Sequence, residues 1–310
     1  MTGPRPRALR AAAAGALVAV LLGACATEPE PPVSPSAPLE PTPTAEPTPT
    51  AEPTETTEPT AEPTPEPPTA LVDVYYLIDT RTGLRLIPER REIPTGAPAA
   101  DLVRAGVEHM LSGPLDPDYT SPWAPGTQVL GVSVDPAGTE PVVVDLSEEA
   151  RTADIGSPGA ALMIQQLVHT VTAALGGEGA GVLLTIGGSP AGELWGAVEW
   201  SAPVTRSDPL EVQALVQIAE PGEGATTASP VTVSGQAAVF EATLPWSVLD
   251  ASGVEVTSGV AMTAEGQRFA PYSFTIDLEP GTWTIVVTED DPSDGAAGPL
   301  MTDTRTVTVE

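Results

Sequence analysis

Hydrophobic and polar positions divide the chain into stretches with different periods. Ala11 to Leu22 is a short, nearly continuous apolar run that follows Arg5, Arg7 and Arg10. From Ala26 to about Ala70 there is no apolar period, only Pro, Thr, Glu, Ala and Ser with repeats such as Thr44-Ala45-Glu46-Pro47-Thr48. At Leu71 the pattern changes abruptly. Leu71–Ile78 and Leu84–Ile93, rich in apolar and β-branched residues, predict strands. Leu102, Val103, Gly106, Val107 and Met110 recur at helical spacing between Pro98 and Gly113-Pro114, and predict a helix bounded at both ends. Gln128–Val134 and Pro141–Leu146 read as strands. Ser157-Pro158 opens a second helix, with Ile164, Leu167, Val168, Val171 and Leu175 on one face and Gly176-Gly177 as its stop. Val182–Ile186 returns as a strand. The order strand, strand, helix, strand, strand, helix, strand describes an α+β layer with two helices over one sheet face.

Beyond Pro209 the period shortens to two. Seven runs (Val212–Ile218, Val231–Val239, Glu241–Leu249, Val254–Met262, Phe269–Leu278, Thr282–Thr288 and Thr304–Val309) alternate between turn signals such as Asp250-Ala251-Ser252-Gly253 and Pro280-Gly281. That pattern predicts an antiparallel β-sandwich. The expected organisation is a signal segment over 1–24, a disordered stalk over 25–70, an α+β domain over 71–200, a linker over 201–209 and a sandwich over 210–310.

The N-terminal run is too short for a spanning helix, which needs roughly 20 apolar residues. Its basic start, short apolar stretch and small residues fit an export signal. Leu22-Gly23-Ala24-Cys25 resembles a bacterial lipobox, which implies cleavage before Cys25 and a lipid (thioether diacylglycerol, with acyl chains such as palmitate) on its sulfur. Cys25 is the one cysteine of the chain, so no disulfide is available to the fold. The following stalk cannot bury enough apolar area to offset ordering entropy. In polyproline II form, its roughly 45 residues reach about 140 Å.

Composition narrows the function classes. The chain has 12 basic residues, all arginine, against 42 acidic ones and a net charge of −30. Such a surface repels phosphate backbones, so nucleic acid is excluded as a partner. The two histidines, His109 and His169, fall in the two predicted helices, with His169 placed beside Gln165, Gln166 and Thr172 away from the apolar stripe, as a surface or capping residue. Ser157 and Ser189 lack the Gly-x-Ser-x-Gly setting of a nucleophile elbow. Glu148 and Glu149 are adjacent and diverge, which is not glycosidase geometry. Asp290, Asp291 and Asp294 lack EF-hand spacing and read as a solvated turn. Gly187-Gly188 is followed by no lysine, unlike a phosphate loop. Trp246 and Trp283 are expected in the sandwich core. Trp195 and Trp200 close the first domain and are candidates for a protein contact, since aromatic side chains are enriched at interface cores.

Two resemblances follow from these residues. Val74-Tyr75-Tyr76-Leu77, the Leu102–Pro114 helix and Gln165-Gln166-Leu167-Val168-His169-Thr170-Val171-Thr172 before Val182–Gly187 are similar to a GerMN domain, a family named from sporulation and germination proteins. It implies a sheet with two helices like the ring-building folds of envelope assemblies, and no catalysis. Ser229-Pro230-Val231-Thr232-Val233-Ser234-Gly235, Phe240-Glu241-Ala242, Gly259-Val260-Ala261, Tyr272-Ser273-Phe274 and Glu289 to Gly295 resemble the immunoglobulin-like domain of bacterial spore germination, with Tyr272-Ser273 departing from the expected glycine-tryptophan pair.

The expectation is therefore a lipoprotein on the extracytoplasmic face of the cell membrane, held there through Cys25. It would be non-catalytic, without cofactor or metal, and would bind or scaffold an envelope protein or wall partner. An envelope hydrolase acting on wall polymers and a ligand-binding lipoprotein are the alternatives.

Overall fold

The structure, a computed structural model, describes residues 68–153, 155–293, 296 and 298–310. The signal segment, Cys25 and nearly all of the stalk lie outside them. The described residues fall within one compact unit.

The first domain starts with β1 (Thr69–Thr80) and β2 (Gly83–Pro94), a twelve-residue hairpin in unbroken antiparallel register from Thr69 opposite Pro94 to Thr80 opposite Gly83. Gly83 has φ +103°, the left-handed region where glycine carries no side-chain penalty. Helix α1 (Ala99–Ser112) buries Val103, Gly106, Val107 and Met110, the stripe its spacing predicts. The two-residue β3 (Tyr119–Thr120) adds to the other edge of β1.

β4 (Val129–Ser133) and β5 (Val142–Leu146) pair antiparallel, and β5 pairs parallel with β6 (Val182–Ile186). A parallel pair needs a crossover connection, supplied here by α2 (Ser157–Ala174). Its N-cap is Gly156, with Ser157 and Pro158 as its first two residues, so the helix starts one position earlier than the sequence suggests. At the other end Gly176 N donates to Ala173 O at 2.9 Å and Gly177 N to Thr172 O at 3.1 Å, the paired bonds of a Schellman stop. β7 (Ser189–Pro190), β8 (Gly192–Leu194) and β9 (Val198–Trp200) complete the domain. The sequence predicts one sheet, whereas the strands form separate sheets, β2-β1-β3, β4-β5-β6-β7 and β8-β9. One continuous apolar core joins them through α1 and α2.

The fold class is α+β followed by an all-β immunoglobulin-like sandwich. A short α3 (Pro209–Val212) leads into β10 (Val216–Glu220). One sheet has the order β10-β12-β15, with β12 (Val231–Ala237) and β15 (Ala270–Ile276). The other has the order β11-β17-β16-β13-β14, from β11 (Thr226–Thr227), β13 (Thr243–Leu249), β14 (Glu255–Met262), β16 (Gly281–Thr288) and β17 (Thr302–Val309). Val231, Val233, Leu244, Val248, Ile285, Val287, Val307 and Val309 fill the space between the sheets. Trp246 and Trp283 are only half-buried at its margin, where Trp246 stacks on Phe274.

Gly235 shows how tightly the sandwich closes. A Cβ there would lie 1.9 Å from the Gln217 carbonyl oxygen and 2.8 Å from the Tyr272 hydroxyl. Backbone cannot yield as a side chain does, so Gly235→Ala is expected to cost about 1–3 kcal/mol in denaturant unfolding. An unchanged midpoint would contradict the packing.

Candidate binding cleft at the domain junction

Helix α2 positions the most informative group of polar side chains. A helix over a single sheet would leave one face wet, yet Gln165, Gln166, His169, Thr170 and Thr172 are all buried. The reason is a second cover. β1 supplies one side, where Thr170 Oγ1 accepts from Tyr75 N at 3.1 Å and Gln166 Nε2 donates to Tyr75 O at 3.0 Å. The stretch expected as a linker supplies the other: Gln165 Nε2 donates to Thr205 O and Ser207 N donates to Gln165 Oε1. Arg206 Nε donates to Thr172 Oγ1 at 2.6 Å, and its Nη2 donates to His169 O at 3.0 Å. Residues 205–207 are thus seated on the helix.

His169 is consequently a core residue, which corrects its expected place on a polar surface. Its ring meets Tyr75 edge-on at 4.9 Å. Gln217 Nε2 donates to Gln213 Oε1 and to Ala214 O, both at 2.9 Å, which orients Gln213 with its Nε2 3.4 Å from His169 Nδ1. This relay carries the sandwich's first strand into the core of the α+β domain. His169 Nε2 is buried with no hydrogen-bond partner among the described residues. Burial, seconded by the Arg206 charge, lowers its pKa to about 3. The ring is therefore neutral, and its polar neighbours are amides and a guanidinium. His109, by contrast, stays near the surface, with Nε2 3.1 Å from Glu92 O.

The buried neutral histidine makes a pH prediction. The unfolded state, with an ordinary histidine pKa near 6.5, binds more protons than the folded state below that pH. The histidine's contribution is therefore nearly full above about 6.5 and falls as pH drops toward 3, by up to about 1.4 kcal/mol per unit. Its own share of the loss between pH 6.5 and 5 is about 1.7 kcal/mol; Asp116, raised to about 7, acts in the opposite direction over the same window, so the difference between wild type and His169→Phe in urea titrations at the two pH values isolates the histidine. An equal pH slope in wild type and variant would contradict the assignment.

Above this relay lies a cleft of about 680 Å³, lined by both domains. Arg90, Arg206, Gln213, Gln217 and Gln236 line it together with Asp73 and Tyr75. Its volume falls in the usual range of small-ligand sites, which favour domain interfaces. Burial raises the Asp73 pKa, opposed by Arg90 and Arg206, and pushes the Tyr75 hydroxyl up to about 12. Two arginines gather here beside two acids, Asp73 and Glu178, and each is already paired, Arg90 with Glu220 at 2.9 Å and Arg206 with Glu178 at 3.4 Å. Guanidinium and amide groups can hold a polar, carboxylate- or amide-bearing molecule by hydrogen bonds.

A buried ionic cluster also joins the two domains. Arg305 Nη1 donates to Asp116 Oδ2 at 2.6 Å, to Tyr119 Oη at 2.7 Å and to Asp303 Oδ1 at 3.0 Å. Its Nη2 donates to Ile218 O at 2.8 Å, while Tyr119 Oη donates to Asp303 Oδ1 at 2.6 Å and Ile218 N to Asp303 Oδ2. Burial pushes Asp116 up to about 7, against the pull of the Asp118 amide and the guanidinium, and raises Asp303 in the same direction. Arg81–Glu289 at 2.8 Å and Arg90–Glu220 at 2.9 Å add further bridges, and Ala214 N donates to Leu86 O at 2.8 Å.

Of the two tryptophans expected at a contact surface, one is in the core. Trp200 is fully enclosed in the α+β core. Trp195 is half-buried, packs edge-on to Trp123 at 5.6 Å and donates to Ala150 O at 3.0 Å. Trp200 is therefore closed to a partner, while Trp195 keeps part of its ring exposed. Glu148 pairs with Arg151 rather than with Glu149. Asp291 accepts from Ser293 in a turn, and Asp294 lies outside the described residues. Gly187 and Gly188 make the turn between β6 and β7, with Gly188 N donating to Asp145. No cluster of three metal-ligating side chains occurs among the described residues. No helix among them is long and apolar enough to cross a membrane.

Residues 73–192 match the family described as "Sporulation and spore germination". Residues 215–296 match the "Immunoglobulin-like domain of bacterial spore germination". The chain carries both domains. The two matched segments are the α+β domain and the sandwich described above. No curated protein matches the chain. Among solved structures it is similar to the tandem GerMN domains of the sporulation protein GerM from Bacillus subtilis, at 15% identity and a TM-score of 0.35, covering 68% of this chain and 62% of that one. This chain thus spans less than two thirds of that structure. A putative lipoprotein from Clostridium perfringens matches at 15% identity and a TM-score of 0.31, over 44% of this chain and 87% of the other.

Proposed function

We propose that the protein is a membrane-anchored lipoprotein of the cell envelope that acts by binding or scaffolding, in spore formation or germination, and not by catalysis. The observation that carries this reading is the Arg305 cluster, which joins two germination-type domains through a buried interface. A rigid pair of domains presents one composite surface, which suits recognition. The polar cleft at the same junction supports a narrower version, a binding protein for a small polar ligand.

Two experiments separate these readings from the hydrolase alternative. Crosslinking in cells through a tag on the full chain, followed by identification of neighbours, should recover a reproducible envelope partner. Incubation of the protein with wall polymer should release no fragments; released fragments would overturn the non-catalytic reading. A thermal shift with a small polar ligand would select the narrower version, because a ligand that binds only the folded state stabilises it. Anchoring is tested apart from both. Cys25→Ser should abolish lipid labelling and release the chain from membranes, and persistent labelling would end the lipoprotein assignment.

A further inference from the structure

One charge in the cleft above the α2 relay is taken up by nothing in the protein. Side chains alternate along β1, and Leu71, Asp73 and Tyr75 share the face that lines the cleft. Asp73 is half-buried and lies opposite Arg90 in the β1–β2 register. No hydrogen bond or ion pair reaches its carboxylate from the described residues. The two nearby guanidiniums point elsewhere. Arg90 Nη1 pairs with Glu220, and Arg206 donates through Nε, Nη1 and Nη2 to Thr172 Oγ1, Glu178 and His169 O. Two arginines thus meet three acids, and the surplus negative charge belongs to Asp73.

A second feature has the same sign. The end of α2 forms the neighbouring wall through Ala173, Gly176 and Gly177, and its last turn holds no basic residue. Carbonyls at a helix C-terminus carry a partial negative charge that favours a cation within the last turn. Arg206 is held about one turn further back, on His169 O. The sandwich side of the cleft is neutral, with the Gln217 and Gln236 amides and the Phe269 ring. Such a site suits an ammonium group better than a metal ion. Calcium takes six or more oxygen ligands, and no group of three metal-ligating side chains occurs among the described residues. An ammonium has three protons to donate, which one carboxylate and a few neutral oxygens can accept. At longer range a net charge of −30 draws cations and repels acids. We propose that the cleft binds a small primary amine, its ammonium on Asp73 and an amide or hydroxyl of the same molecule against Gln217 and Gln236. Amine binding rests on the cleft's being a ligand site and narrows that reading from polar molecules in general to cations.

Calorimetric titration of the full chain tests this with Nα-acetyl-lysinamide and cadaverine as amines, and with Nα-acetyl-norleucinamide and glutarate as controls without an ammonium. Nα-acetyl-lysinamide should bind at least about tenfold tighter than Nα-acetyl-norleucinamide, which shares its amide but lacks the charge-assisted hydrogen bond. Both amines should bind more tightly than glutarate. Preference for the lysinamide over cadaverine marks an amine carried on a peptide-like amide, and the reverse marks a free diamine. Asp73→Asn removes the charge at constant shape and should weaken the amines at least about tenfold, with a cooperative unfolding transition as the check on folding. Gln236→Lys sets a cation at an exposed position on the sandwich wall and should weaken them as well, by about threefold or more. Equal affinity for the lysinamide and the norleucinamide overturns amine binding and leaves the ligand cleft standing, as does an Asp73→Asn chain that holds amines as well as wild type. If glutarate alone binds, the same holds. Silence with every probe at millimolar concentration overturns both.

Discussion

Replacing Arg305 by methionine is expected to destabilise the protein by about 3–5 kcal/mol, because it leaves Asp303 and Asp116 buried without their counter-charge. For an ordered region of this size, that lowers the melting temperature by about 6–20 °C. The effect should also change the shape of the transition. Arg305 holds Asp116 and Tyr119 of one domain and Asp303 and the Ile218 carbonyl of the other, so its loss should let calorimetry resolve two steps where wild type shows one. Neutralising the partners as well, in Asp116→Asn/Asp303→Asn/Arg305→Met, should recover part of the loss, since the penalty comes chiefly from orphaned charge. A loss below about 1 kcal/mol for Arg305→Met would show that water reaches the carboxylates and that the cluster behaves as a surface pair.

The sequence carried a sign of this cluster. In Thr302–Val309 the even positions are all threonine, and the odd positions Asp303, Arg305, Val307 and Val309 point inward. Two charges in the apolar register of a strand contradict its own pattern, and such a contradiction marks a residue needed for something besides packing. What the pattern cannot supply is the partner: Asp116 and Tyr119 lie about 190 residues earlier, in a turn and the two-residue β3 that follows it, too short to show a period. Strands and helices were legible because their burial has a period of two or 3.6. His169 was misplaced for the complementary reason. The apolar stripe of α2 predicts one buried face, and nothing local reveals that Thr205 to Ser207 and β1 cover the polar one. Its run of glutamine, histidine and threonine, all satisfiable by backbone groups, is the weak local sign of a helix covered on every side. The same lack of local information moved Trp200 to a surface.

Trp200→Ala discriminates a core role from a contact role. Trp200 ends β9 opposite Gly192 and is fully buried against the α+β core. Truncating a buried tryptophan removes its transfer free energy and leaves a cavity, so the expected cost is about 3–5 kcal/mol. The indole nitrogen has no hydrogen-bond partner among the described residues, so little of that cost is polar. Trp200→Phe should therefore keep more than half of the lost stability, whereas a tryptophan held by its N–H would not be rescued. Trp195→Ala should cost less, since that ring is half-buried, although it forfeits the bond to Ala150 O and the edge contact with Trp123. Urea unfolding of the three variants ranks them. If Trp200→Ala left the midpoint within about 0.5 kcal/mol of wild type, the range of ordinary surface substitutions, the ring would not be core and the contact role would return. If it unfolds the α+β domain while the sandwich keeps its own transition, the same measurement also reports how far the Arg305 cluster couples the two domains.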